Sequence, residues 1–229
     1  MACECGGVAG HKRELEAEEW TEQRPYMPRL RLATGLLSGL FSICALAPAQ
    51  QAGINLTQLN ESGKILFDGH LTPYLIRHLP VSSFPQLPTW IRDDLNRRGC
   101  MIPQTYQAYG PENVVQGSLE RPGSSDWAIL CSARGTVSLL VFFSDGEQIM
   151  VLDVAPETER LGISGANGVL GFDWGIDPAT PQQVQEAEAG LTPRPPLLDH
   201  DALAVTVINQ NTIYHYYAKS AWTLVAVTQ

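Results

Sequence analysis

The stretch from Asp126 to Val154, DWAILCSARGTVSLLVFFSDGEQIMVLDV, limits the possible folds more than any other, because it holds three strand-like runs with turn chemistry between them. Thr136 to Phe143 places Val137, Leu139, Val141 and Phe143 on one face and Thr136, Ser138, Leu140 and Phe142 on the other. A run that ends apolar on both faces belongs inside a sheet rather than at its edge. Ser132 to Gly135 and the Asp145-Gly146 pair supply the two turns, Asp-Gly being favoured where backbone φ must be positive. The stretch reads as an antiparallel β-meander.

A second meander is expected at the C-terminus. Laid without gaps over Asp201 to Val227, the first stretch pairs Asp126 with Asp201, Leu130 with Val205, Val137 with Thr212 and Ile149 with Leu224. The order of strand, turn, strand, turn, strand is kept, so two copies of a three-stranded unit would bury their apolar faces together.

Helical signals are few. Leu87, Ile91 and Leu95 recur at four-residue spacing through Pro88 to Arg98, with Arg97 and Arg98 at the negative end and Gly99 to close the helix. Thr180-Pro181-Gln182-Gln183 makes a capping box, and Gly190 follows that second helix. Thr72-Pro73 predicts a helical turn through Leu79, residues 50 to 70 an irregular arm or one short strand around Ile65 to Phe67, and Pro156 to Pro196 a long loop holding the second helix. The fold class expected is therefore α+β, a single domain of two antiparallel three-stranded meanders with a few short helices.

The 229 residues carry a net charge of -9, and no basic face is present to neutralise phosphates, which argues against a nucleic-acid partner. Residues 1 to 26 are polar and glutamate-rich, and read as a disordered or mis-annotated extension; Cys3 and Cys5 lack the second ligand pair a zinc site needs. From Met27, a basic start (Arg29, Arg31), an apolar run from Leu32 to Leu46 and Ala47-Pro48-Ala49 have the parts of a secretory signal peptide, residues 27 to 49. Cleavage after Ala49 leaves 50 to 229 as a secreted or periplasmic domain with no transmembrane span. Its two cysteines, Cys100 and Cys131, are then read as a disulfide.

Gly117 to Leu130, GSLERPGSSDWAIL, resembles the strand-loop-strand phrase of FG-GAP and VCBS repeats, with Gly117, Gly123, Asp126, Ala128 and Ile129 at matching places. That family's repeats form β-propeller blades and bind calcium. Here Arg121, Pro122, Ser124 and Ser125 fill the calcium loop, so the resemblance implies a local backbone shape without the ion.

Candidate site residues follow from chemistry. Tyr214 and Tyr216 share one face of a strand, and such rings make platforms for ligands or proteins. Asp199 and Asp201 flank His200 and would converge on an extended chain. Asp173 lies in FDWGID, within the loop where a ligand site is expected first. No catalytic residue, metal ligand or cofactor motif is assigned. The expected function is a non-catalytic extracytoplasmic binding or envelope-associated module, whose unknown partner is a protein or an envelope component. The alternative is a secreted hydrolase with its site between Gly162 and Asp177, where Gly162-Ile163-Ser164-Gly165-Ala166 falls one glycine short of a nucleophile elbow.

Overall fold

Asp68 and Gly69 take positive φ of 47° and 77°, and that two-residue turn joins β1 (Leu59–Phe67) to β2 (His70–Pro80) in a long antiparallel hairpin. The expected arm and the expected helical turn at Thr72 to Leu79 are both corrected here. Pro73 is tolerated in a strand because residues 70 to 73 of β2 pair only with β1, leaving the other edge free for a residue without an N–H. The computed structural model describes residues 59–228 except 147, 166, 167 and 191–196; the expected extension (1 to 26) and the expected signal peptide (27 to 49) lie outside these residues.

After β2 comes α1 (Thr89–Arg98), which ends at Gly99 in the left-handed conformation, φ 74°. Arg97 and Arg98 both hold the buried carboxylate of Asp94, Arg98 at 2.5 Å. Then follow β3 (Met101–Gln104), β4 (Val114–Gly117), β5 (Asp126–Ala133), β6 (Thr136–Phe142) and β7 (Ile149–Pro156). The expected first meander is β5-β6-β7, with Arg134 and Gly135 at positive φ in its first turn. It is one end of a nine-stranded sheet in the order β7-β6-β5-β3-β2-β9-β8, where β8 is Leu161–Ile163 and β9 is Leu170–Phe172, with β1 paired to β2 and β4 to β5. Every pairing is antiparallel except β2 with β9.

The second sheet is β10 (Trp174–Ala179), β11 (Ala202–Val207), β12 (Asn211–Ala218) and β13 (Ala221–Thr228), antiparallel in that order. The expected C-terminal meander is present, with a fourth strand on its edge. The sheets are thus larger and more mixed than two three-stranded units, and the expected long loop from 156 to 196 contains three strands. β8 and β9 have three residues each, too few to show alternation, and β10 contains Gly175 and Pro178, which mask its pattern.

Alternate residues of β5 and β6 face opposite ways. Leu130, Val137, Leu139 and Val141 pack with Ile176, Leu203, Val205 and Tyr217 of the second sheet, and Ile129, Leu140 and Phe142 pack under Leu87, Ile91 and Leu95 beside α1. Cys100, next to the helix end, and Cys131 of β5 form a disulfide with Cα atoms 5.1 Å apart. On the far side of the second sheet, α2 (Pro181–Ala187), started by the Thr180 and Gln183 capping box, lays Val184 over Ala179, Ala202 and Ala204. The result is an α+β domain of four layers: helix, sheet, sheet, helix. Among the described residues no helix is long and apolar enough to cross a membrane.

The two aspartates aligned between the meanders hold one loop from both sides. Asp201 Oδ2 accepts the Ser118 N–H at 2.9 Å, while Asp126 Oδ2 accepts the N–H groups of Leu119 at 2.9 Å and Glu120 at 2.8 Å. Asp126 also takes the Ser124 hydroxyl and, through Oδ1, the Ser144 N–H at 2.8 Å. Nearby, buried Asn113 at φ 67° donates to the Pro103 and Trp174 carbonyls and accepts the Ile176 N–H, tying the two sheets together.

Candidate ligand-binding site

Asp173 is the single residue between β9 and β10, so the chain passes there from the first sheet to the second. Its N–H donates to the Arg160 carbonyl at 3.1 Å and its own carbonyl accepts the Ile208 N–H at 2.9 Å. The side chain is only 3% exposed and its Oδ1 has no hydrogen-bond partner. Burial pushes its carboxyl up to about 6; its own backbone N–H and the Arg160 charge offset this only in part. Arg160 is turned away, lying 3.2 Å over the Trp174 ring and bonding Asp153 at 2.5 Å.

Two glycines make room for the corner. Gly162 and Gly171 are partners across β8 and β9; a Cβ at Gly162 would lie 2.7 Å from Asp173 Oδ2, and one at Gly171 would lie 2.6 Å from Tyr106 Cβ. Asp173 and Tyr106 therefore lie side by side on one face of that hairpin. Burial, and then the Asp173 charge, pushes the Tyr106 phenol up, and its oxygen accepts the Asn209 amide at 2.9 Å.

Tyr106, Tyr109, Ser164 and Asn209, with Gln107, Ala108, Ile163 and Gly165, line a depression of about 390 Å³. Its tyrosine loop is fixed in place. Arg77 donates to the Thr105 carbonyl at 2.6 Å and the Ala108 carbonyl at 3.0 Å, and Gln104 and Glu112 exchange bonds across the loop base. Tyr109 is fully exposed at the rim. The Ser164 hydroxyl donates to the Val169 carbonyl at 2.6 Å and closes the turn between β8 and β9.

The other sequence-selected residues lie elsewhere. Residues 199 and 200 form a bend rather than extended chain, so Asp199 and Asp201 do not converge; Asp201 holds Ser118, and Asp199 folds back onto His200. His200 Nε2 faces the Tyr217 carbonyl at 3.0 Å, its Nδ1 lies 2.6 Å from Asp199 Oδ1, and its ring stacks on Tyr216 at 4.4 Å. A carbonyl only accepts, so Nε2 carries a proton. The Tyr216 hydroxyl donates to the same Asp199 oxygen at 2.6 Å. That bond, then the contact with His200, holds the Asp199 carboxyl below its usual range. Burial, then Asp199, pushes the Tyr216 phenol up to about 12. So stabilised a phenol is a donor and not a base, and the trio clamps the entry of β11 to β12. Tyr214 is half-buried among Ala202, Ala204 and Val184.

Sequence reasoning missed Tyr106, Tyr109 and Asn209. Tyr106 and Asn209 are 103 positions apart, and the readable trace of their meeting is the glycine pair that permits it. Comparison with family models, curated proteins and solved structures gives no match for this chain.

Proposed function

We propose that the chain works outside the cytoplasm as a non-catalytic binding module that holds a neutral, hydroxyl-rich ligand, an oligosaccharide of the cell envelope, at the Tyr106 depression. The observation that carries this reading is a rigidly held loop presenting Tyr106 and the fully exposed Tyr109 beside the Ser164 hydroxyl and the Asn209 amide. An aromatic face takes the C–H face of a sugar ring, and neutral amides and hydroxyls match its hydroxyls without demanding charge. The Cys100–Cys131 disulfide supports an oxidising location.

Titration calorimetry of the purified protein with a panel of neutral and anionic oligosaccharides tests the reading. Saturable binding of a neutral member is expected, weakened about tenfold or more by Tyr109→Ala and by Asn209→Ala with the circular dichroism unchanged. Absence of binding across the panel, or binding that both variants leave intact, overturns it. Turnover of an ester, peptide or glycoside that vanishes in Ser164→Ala would favour the hydrolase instead.

A further inference from the structure

The hairpin register places Glu61 opposite Ile76 and His78 opposite Leu59, which sets the carboxylate and the imidazole on one face of β1 and β2. Glu157, in the short turn that follows β7, is anchored by its N–H on the Gly135 carbonyl at 2.9 Å and reaches under that face. Its Oε1 lies 2.7 Å from His78 Nε2. One ligand atom each from Glu61, His78 and Glu157 falls within 4.8 Å of the others. His78 and Glu157 are buried, at 5% and 1% exposure, while Glu61 is exposed and gives access from solvent.

Glu157 Oε2 is the independent sign of a ligand: it is buried and makes no hydrogen bond, a state that costs about 1–3 kcal/mol for a polar atom and more for a charged one. The buried side chain thus has a free oxygen next to an imidazole nitrogen and a solvent-reachable carboxylate.

We propose that Glu61, His78 and Glu157 bind a divalent first-row transition metal, with zinc the best match. One imidazole and two carboxylates suit zinc, whose four-coordinate sites take nitrogen and oxygen ligands at about 2.0–2.2 Å. Calcium needs six or more oxygens, and this set offers too few. The ion would bind Nε2 of the neutral ring, whose one hydrogen then sits on Nδ1, so a dication faces two carboxylates and the free Glu157 oxygen gains a partner. Three protein ligands leave the fourth position to water. The site would fasten the edge strand β1 to the end of β7, and it is separate from the Tyr106 depression.

The test is equilibrium dialysis of the tag-free full chain against zinc, with elemental analysis, and the visible spectrum of the cobalt(II) form. One zinc per chain is expected, calcium should not compete, and the cobalt spectrum should show tetrahedral bands without thiolate charge transfer. Glu61→Gln, at an exposed position that leaves the His78 and Glu157 pair intact, should weaken zinc by at least about tenfold; His78→Gln should abolish binding, with circular dichroism as the check on folding. No stoichiometric zinc, affinity unchanged in Glu61→Gln, or a thiolate band assigning the metal to Cys3 and Cys5 would each overturn the site.

Discussion

Replacing Asp126 by alanine should be among the most destabilising changes that leave the apolar core intact. Asp126 is fully buried, and its carboxylate serves four donors: the N–H groups of Leu119, Glu120 and Ser144 and the hydroxyl of Ser124. The Leu119 N–H is on a residue with 0% exposure and would have no water to turn to, which costs about 1–3 kcal/mol. The other three donors lie nearer solvent and lose only the net value of their bonds, about 0.5–1.5 kcal/mol each. The sum is about 5 kcal/mol, or roughly 10–20 °C in Tm for a domain of this size. Asp126→Asn keeps the shape, but it must turn its amide onto either the Ser144 N–H or the Leu119 and Glu120 pair, and should lose about half as much. Asp201→Ala, which removes the single bond to Ser118, should lose about 1 kcal/mol. Urea unfolding of the oxidised protein, followed by tryptophan fluorescence with Trp127 next door, measures all three. An Asp126→Ala protein within about 1 kcal/mol of its parent, or no less stable than Asp201→Ala, would refute the argument that these four donors depend on one carboxylate.

The raised pKa of Asp173, about 6 against an ordinary 3.8, means that folding favours its protonated form. Its stabilising contribution is full below about pH 4 and is lost as pH rises through about 6, by up to about 2–3 kcal/mol; Asp173→Asn should flatten that fall and exceed its parent at pH 8 in denaturant titrations, and an unchanged pH profile would count against the buried acid. Reduction of the Cys100–Cys131 bond, which spans a sequence separation of 31, should destabilise the domain by roughly 3–4 kcal/mol. Alkylation of the unreduced, denatured protein should leave both of these cysteines unlabelled, and labelling of either would contradict the bridge.

What was legible in the sequence was whatever shows itself within about ten residues. The alternation of Val137 to Phe143, the stripe of Leu87, Ile91 and Leu95, the Thr180 capping box and the cysteine pair all read through to the structure. The first hairpin was equally legible in principle. Asp68-Gly69 is a hairpin signal of the same kind as Asp145-Gly146, but the helix-start chemistry of Thr72-Pro73 competed with it, and tertiary pairing with β3 and β9 decided for the strand. The Asp173 corner was illegible for a different reason. Its neighbours Arg160, Tyr106 and Asn209 come from three separate segments, and no local pattern announces that a chain will change sheets at one residue. His78 and Glu157 likewise meet across a sequence separation of 79, which no local pattern announces.

The parallel contact of Tyr74 and Leu75 with Leu170 and Gly171 also sets an order of events as the chain folds. The hairpin of β1 with β2, the β5 to β7 run and the β11 to β13 run close locally and can form early, whereas β9 must travel across most of the domain to reach β2, a slow step of high contact order. The chain passes from β9 into the second sheet at Asp173, and Asn113 and Asp201 help hold that sheet to the first. Until β9 arrives the Tyr74 edge of β2 is an unpaired strand edge beside the exposed Leu71 and Leu75, which is the kind of surface on which partly folded chains pair with one another. A nascent or truncated chain that ends before Leu170 keeps that edge open, and aggregation of such fragments should be relieved once Leu170–Phe172 is included.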